Sequence, residues 1–255
     1  MSATLARPTR RTLVRSAAWT VPVVAIGAAA PAFALTCTGA AEGFSLNWTS
    51  NTYTVDKSLP VHVGKGIATG PTGSQSIEVT FRSSVFGTTT RAGDSMTVVA
   101  QDNLGGLGIG RGLQLRHINF NGGFGNREVV QISFARAITG LSFTLTDIDS
   151  VDNGFYDRIT LDGTRNFTVT PRNSTSNYVR GNGLDVPETN NAVGPWRQRN
   201  DDSSLDLDSN RGNVTVTYPG TIAKDTPITL NYWSSNAGTN QQVFFSNLTF
   251  MSASC

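Results

Sequence analysis

The chain has 255 residues, with 20 lysines and arginines, 18 aspartates and glutamates, 26 glycines and only two cysteines. Arg7, Arg10, Arg11 and Arg15 fall in a leader, and without them 16 basic residues stand against 18 acidic ones, a net charge of −2. Only Lys57, Lys65 and Lys224 are lysines, and no basic patch is interleaved with aromatics, so the composition excludes the electrostatic footprint of a nucleic-acid binder.

Residues 1–34 read as a signal peptide. Thr9-Arg10-Arg11-Thr12-Leu13-Val14-Arg15 has the twin-arginine pattern, an apolar stretch runs from Ser16 to Ala30, and Ala32-Phe33-Ala34 supplies the small residues of a cleavage site. That stretch contains Pro22 and is too short for a bilayer core of about 30 Å, so no membrane span is expected once the leader is removed. A secreted or extracellular destination follows, with a single domain over 35–255. Cys37 and Cys255 then form an even pair in an exported chain and read as a disulfide, whose chain-entropy ceiling is about 5 kcal/mol. A lipid-modified Cys37 is the competing reading, and Ala34-Leu35-Thr36-Cys37 matches a lipobox poorly.

From Phe44 onward, short blocks of alternating apolar residues predict strands over 44–48, 52–55, 76–81, 95–101, 113–120, 128–134, 140–148, 158–161, 166–170, 213–218, 227–233 and 242–250. Turn residues such as Asn121-Gly122-Gly123, Asp162-Gly163 and Pro219-Gly220 separate them. The expected fold is all-β, a single antiparallel β-sandwich of jelly-roll type in which about a dozen strands form two packed sheets. The glycine-rich stretch 102–112 lacks the Lys-Ser or Lys-Thr of a phosphate loop and leads into a strand, so it reads as a β connection.

In the strand over 140–148, Leu141, Phe143 and Leu145 share one face, and alternation carries Asp147 and Asp149 onto it. Burying an unpaired carboxylate costs several kcal/mol, so these aspartates emerge into solvent, cap backbone N–H groups, or hold a cation. With Asp152 and Asp157 around an Asn153-Gly154 turn they form a candidate structural calcium site, the one cofactor the sequence suggests. Asp206-Leu207-Asp208-Ser209-Asn210 is a weaker candidate, because Gly212 comes one residue late. For catalysis the material is thin. His62 and His117 are the only histidines, His117 reads as structural, and no Gly-x-Ser-x-Gly elbow is present. A hydrolase of glycan or ester would draw its paired carboxylates from Glu78, Glu128, Asp147, Asp149 and Asp157.

The segment 171–212 is long, polar and poor in periodicity, and is the first candidate for a binding surface. Its Tyr178, Trp196 and Arg197, with Trp233 further on, are the candidate binding residues, and Trp196 is expected to be exposed. In Tyr232-Trp233 adjacent residues face opposite sides, so at most one ring belongs in the core.

Glu128 and Phe134, then Gly140, Leu141, Phe143, Asp147, Ile148 and Asp149, then Asp157 before Arg158-Ile159-Thr160-Leu161, carry a resemblance. The stretch resembles a loose group of exported bacterial β-sandwich modules of surface and secreted proteins, with a Gly-Leu-x-Phe-x-x-x-Asp-Ile-Asp strand. The resemblance implies an adhesive or ligand-binding module rather than an enzyme, and the expected function is a non-catalytic binding or adhesion module of the cell envelope or extracellular space, with a glycan or a surface protein as partner. A secreted hydrolase and an envelope-layer or filament subunit are the alternatives.

Overall fold

Period-two alternation of apolar residues can be satisfied only if one face of each segment is covered, and the backbone answers with strands almost throughout. The computed structural model describes residue 37 and residues 39–71, 73–162, 166–171, 178–187, 193–199 and 204–254, within a unit that spans Cys37–Cys255. The predicted leader lies outside the described residues, and so does Cys255. Among the described residues there is no α-helix, and none is long and apolar enough to cross a membrane.

The strands in order are β1 (Ala41–Leu46), β2 (Tyr53–Asp56), β3 (His62–Ala68), β4 (Ile77–Val85), β5 (Thr89–Arg91), β6 (Thr97–Ala100), β7 (Arg111–Asn119), β8 (Arg127–Phe134), β9 (Ile138–Thr146), β10 (Asp157–Leu161), β11 (Thr168–Pro171), β12 (Val179–Arg180), β13 (Arg197–Gln198), β14 (Val214–Ile222), β15 (Ile228–Ser234), β16 (Gly238–Phe245) and β17 (Leu248–Ala253). One sheet of nine strands follows the order β1-β17-β9-β16-β7-β5, with β14 also on β9, β11 on β14 and β6 on β7. A six-stranded sheet follows the order β10-β15-β8-β4-β3-β2, and β12 and β13 form a small ribbon. Every pairing between these strands is antiparallel.

The chain is therefore all-β and antiparallel, as the periodicity predicts, and the differences have local causes. The pattern missed β3 because its inward row is Gly64, Gly66 and Ala68, too small to register as apolar alternation. The glycines make room. A Cβ on Gly64 would stand 2.1 Å from the Tyr53 hydroxyl, and one on Gly66 would stand 2.6 Å from the Leu46 side chain. The predicted strand 242–250 is two strands, β16 and β17, because Ser246 turns the chain and donates its own N–H to Thr144. Within 102–112 the backbone makes one short 3-10 turn, Leu104–Gly106, pinned where the Gly105 N–H donates to Leu207 O at 2.7 Å.

One buried cluster draws side chains from both sheets. Ring contacts cross between them, Phe81 to Phe245 at 6.3 Å and Phe134 to Phe250 at 5.2 Å between centroids. Trp48 is buried as expected, and its indole N–H donates to Ser246 O at 2.7 Å. Each fully buried ring of this kind contributes about 1.5–3 kcal/mol relative to exposure.

Candidate functional site

The inward rows of five strands end, at the same end of the sheets, in a polar residue. On β8 the row is Phe134, Ile132, Val130 and then Glu128; on β4 it is Ile77, Val79, Phe81 and then Ser83. On β7 Leu113 and Leu115 are followed by His117, on β15 Ile228 and Leu230 by Tyr232, and on β10 Leu161 and Ile159 by Asp157. All five are fully buried, so the apolar core is capped by a polar layer.

Two groups make up that layer. In the first, Ser83 donates its hydroxyl to Glu128 Oε1, Arg91 Nε stands 3.6 Å from the same oxygen, and His117 Nδ1 stands 3.6 Å from Glu128 Oε2. The Arg91 guanidinium also donates to Ser83 Oγ at 2.8 Å and to Pro60 O at 2.9 Å, which ties the β2–β3 hairpin to the layer. In the second, Tyr232 donates its hydroxyl to Asp157 Oδ1 at 2.8 Å, and the His117 and Tyr232 rings meet edge to face at 4.4 Å, joining the groups. The Asp149 N–H donates to Asp157 Oδ2 at 3.3 Å, and Asp149 Oδ2 accepts from the Leu205 N–H at 2.7 Å.

The acidic turn differs from the alternation argument in one respect. Asp147 takes the left-handed conformation, with φ of 66°, just past the end of β9. That reversal changes the phase of the strand, so Ile148 enters the core cluster where Asp147 and Asp149 were expected to face it. The carboxyls are buried nonetheless. Asp147 Oδ2 accepts from Gln242 Nε2 at 3.2 Å, while Asp152 is exposed in the turn. Burial, and secondarily the charge of Asp149, pushes Asp147 and Asp157 well above the ordinary carboxylate range; burial raises Asp149 to about 6. Tyr232 is pushed up as well, by burial and then by Asp157. Among the described residues no three acidic, histidine or cysteine side chains converge into a metal-holding group. Of the four aspartates expected to hold calcium, Asp147, Asp149 and Asp157 are buried and each accepts a protein hydrogen bond, Asp147 Oδ1 is buried without a partner, and Asp152 is exposed in the turn. Asp206 and Asp208 are exposed.

The expectation that Trp196 is exposed is corrected, while residues 172–177, 188–192 and 200–203 of the 171–212 segment lie outside the described residues. Trp196 is 1 % exposed and belongs to the core cluster, and Tyr178, Arg197 and Trp233 are also buried. The cause is an edge strand. The Trp196 backbone pairs with Ile159 of β10 in both directions, at 2.8 and 3.1 Å, and the Leu161 N–H donates to Gly183 O at 2.8 Å. The described backbone at Gly183 and Trp196 thus covers the open side of β10, and the tryptophan packs inward against Phe167. In Tyr232-Trp233 only Tyr232 joins the core cluster; Trp233 packs against Phe124 at 5.0 Å.

What faces solvent lies above the polar layer. Strand register brings the hairpin at 57–61 and the turns at 86–88, 120–126, 151–156 and 235–237 to one end of the sheets. Leu59, Phe86 and Phe120, at 59 %, 45 % and 61 % exposure, are the three most exposed large hydrophobics among the described residues, and all three sit there. The Arg127 guanidinium lies over the Phe86 ring at 4.8 Å and the Phe124 ring at 4.2 Å. Asn126 Oδ1 accepts from the Thr88 N–H at 2.8 Å, joining two of the turns. Beside them opens a cleft of about 420 Å³, lined by Asn119, Phe120, Asn153, Phe155, Gly238 and Thr239 among others. Part of the signal for this face was present in the sequence, since Phe86 and Phe120 each sit next to turn residues, although Phe120 falls at the end of the strand predicted over 113–120.

No free cysteine stands among the described residues, and the ends of the fold lie together where Gly39 N–H donates to Ser254 O and Ser254 N–H donates to Ala40 O. No known protein family, curated protein or solved structure matches the chain, so what the site does has to be argued from its geometry.

Proposed function

We propose that this chain is an exported, non-catalytic binding module whose contact face is the loop end. The full reading has a twin-arginine leader over 1–34 that is removed, a mature jelly-roll-like sandwich over 35–255, a Cys37–Cys255 disulfide, and an extracellular glycan or surface protein as partner. The observation that carries it is the gathering of Leu59, Phe86 and Phe120 at one end of the sheets, where exposed apolar side chains rimmed by amides and hydroxyls mark interaction sites. The adjacency of residues 39–40 to Ser254 supports the disulfide, because it brings the neighbours of both cysteines within reach of one another.

The hydrolase reading gains less. Of its five candidate carboxylates, Glu128, Asp147, Asp149 and Asp157 are at most 4 % exposed, and Glu78 is held by Lys65 at 3.1 Å on the surface. A buried carboxylate bonded to protein donors has no path to substrate unless the loop end opens.

Sedimentation with intact bacterial envelopes tests the reading. The mature protein should pellet with them, and Phe86→Ser combined with Phe120→Ser should remain in the supernatant while unfolding at the same urea midpoint. Equal pelleting of the two proteins sinks the loop end as the contact face.

A further inference from the structure

Among the clefts of the described surface, three differ in what they offer a ligand. One, largely apolar, is lined by Phe44, Phe250, Met251 and glycines with Ser45, Thr69 and Thr249, and its rings are buried at 2 % and 3 % exposure. A second, of about 300 Å³, lies along Tyr218 to Ile222 beside Asn166. The third, at the loop end, combines a ring that is 61 % exposed, Phe120, with the exposed side chains of Asn153 and Thr239. Among the described residues no aspartate, glutamate, lysine, arginine or histidine lines it.

The walls of this third cleft are fixed before any ligand arrives. Asn153 holds the left-handed conformation, with φ of 56°, in a turn closed at both ends: the Gly154 N–H donates to Val151 O at 2.8 Å and the Val151 N–H to Phe155 O at 2.8 Å. Phe155 packs so tightly on Gly238 that a Cβ there would lie 2.6 Å from it. Gln241 reaches back from β16 and donates to Gly238 O at 3.0 Å. Asn119, fully buried beneath Phe120, spends its amide on Asn126 O and its carbonyl on the Asn121 N–H. The amide of Asn153 and the hydroxyl of Thr239 are therefore displayed on rigid backbone beside an open ring, an arrangement that keeps the ordering cost of binding low.

A ring face that stacks, with neutral donors and acceptors around it and no charge to satisfy, matches a sugar ring: apolar C–H groups on one face and hydroxyls at the rim. We propose that this cleft binds an uncharged carbohydrate, one sugar stacking on Phe120 while its hydroxyls bond Asn153 and Thr239. The proposal rests on the loop end being the contact face and adds the chemical class of the ligand.

Affinity electrophoresis of the mature protein in gels containing soluble mannan, xylan or glucan, with hyaluronate as the acidic comparison, tests it. At least one neutral polymer should retard the protein, and the retardation should persist at about 0.5 M salt, where charge attraction is screened within a few ångströms. Phe120→Ala should weaken it at least fivefold, about 1 kcal/mol of stacking. Asn153→Gly, which keeps the left-handed turn and deletes the amide, should weaken it too, and Met251→Ala in the apolar cleft should leave it unchanged. Retardation by hyaluronate alone, or loss at high salt, overturns the neutral ligand. If no neutral polymer retards the protein while envelope pelleting still depends on Phe120, the carbohydrate is overturned and the contact face stands. If pelleting is also independent of Phe120, both fall.

Discussion

The turn at 120–126 and the segment at 178–199 share aromatic rings with asparagine and glycine, and the fold uses them in opposite ways. The longer segment runs beside β10, the edge of the six-stranded sheet, and spends its backbone on that edge through Trp196 and Gly183. Once the backbone is paired, the Trp196 ring has to face the core. The shorter turn links β7 in one sheet to β8 in the other, closes on itself where Asn126 N–H donates to Gly123 O, and leaves Phe120 largely exposed. An unpaired edge is a liability that a covering loop removes, so a long polar segment next to an edge strand is better read as a lid on the sheet than as a binding surface.

Trp196→Ala offers the sharpest way to break that comparison. Truncating a buried tryptophan should cost about 3–5 kcal/mol, read from the urea midpoint at constant slope. Phe120→Ala should cost no more than about 0.5 kcal/mol, as exposed positions do. Similar losses at the two sites would mean that the lid and the display turn are not distinct. Gly183→Ala should fall on the lid side as well, because Gly183 has φ of 75° and a Cβ there would stand 2.3 Å from the Trp196 ring.

Glu128→Gln is next in size, and it probes what lies beneath the display turns. It removes the charge opposite Arg91, whose side chain is 8 % exposed and whose other acceptors are Ser83 and Pro60 O. Breaking one side of a buried pair costs about 3 kcal/mol or more, so the urea midpoint should fall sharply, and Glu128→Gln with Arg91→Leu should recover part of the loss. A neutral result would show that the layer is wetter than its burial indicates.

Much of this polar layer could be read from the alternation itself. Glu128 stands in phase with Val130, Ile132 and Phe134, His117 with Leu113 and Leu115, and Tyr232 with Ile228 and Leu230, so each is predicted to face inward. What period two cannot supply is that the rows end at the same level of two sheets, which depends on register between strands far apart in sequence. The acidic turn was legible as buried carboxylate but misread in phase, because one left-handed residue, Asp147, reverses the alternation; aspartate visits that conformation more often than most residues, but its type does not say which aspartate will. Trp196 was misread because the segment around it looks like a free loop until the β10 edge is known to need covering.

The second group of the layer makes a pH prediction whose sign is opposite to that of a salt-bridged carboxylate. Asp149 rises from its ordinary 3.8 to about 6 in the folded protein because it is buried, so the folded state holds its proton more tightly than the unfolded chain does. The stability it contributes is fully present below about pH 3.8 and is lost as pH rises through about 6, on the order of 2–3 kcal/mol. Asp147 and Asp157, raised further, extend the same slope to higher pH. The mature protein should unfold at higher urea near pH 5 than near pH 8, and Asp149→Asn should flatten the part of that slope between pH 4 and 6. Stability that climbs with pH across this window would mean that Asp149 is ionised and paired in the folded state.

The smallest expected effect bears on whether the 147–157 turn belongs with the lid, closed on itself, or with the display turns, open to a ligand. A cation that binds only the folded state stabilises it by RT ln(1 + [L]/Kd), so a site of about 10 µM would add nearly 3 kcal/mol at 1 mM calcium. Most of the carboxyl oxygens already accept protein hydrogen bonds, Asp149 from Leu205, Asp157 from Tyr232 and the Asp149 N–H, and Asp147 Oδ2 from Gln242, while Asp147 Oδ1 is buried without a partner and Asp152 is exposed. Calcium at 1 mM and then excess chelator should therefore move the urea midpoint by no more than about 0.5 kcal/mol, the same in Asp147→Asn as in the parent chain. A stabilisation of several kcal/mol that Asp147→Asn abolishes would make the turn a metal-braced element, and the proton held between buried carboxyls would have to be replaced in the pH argument by a divalent ion.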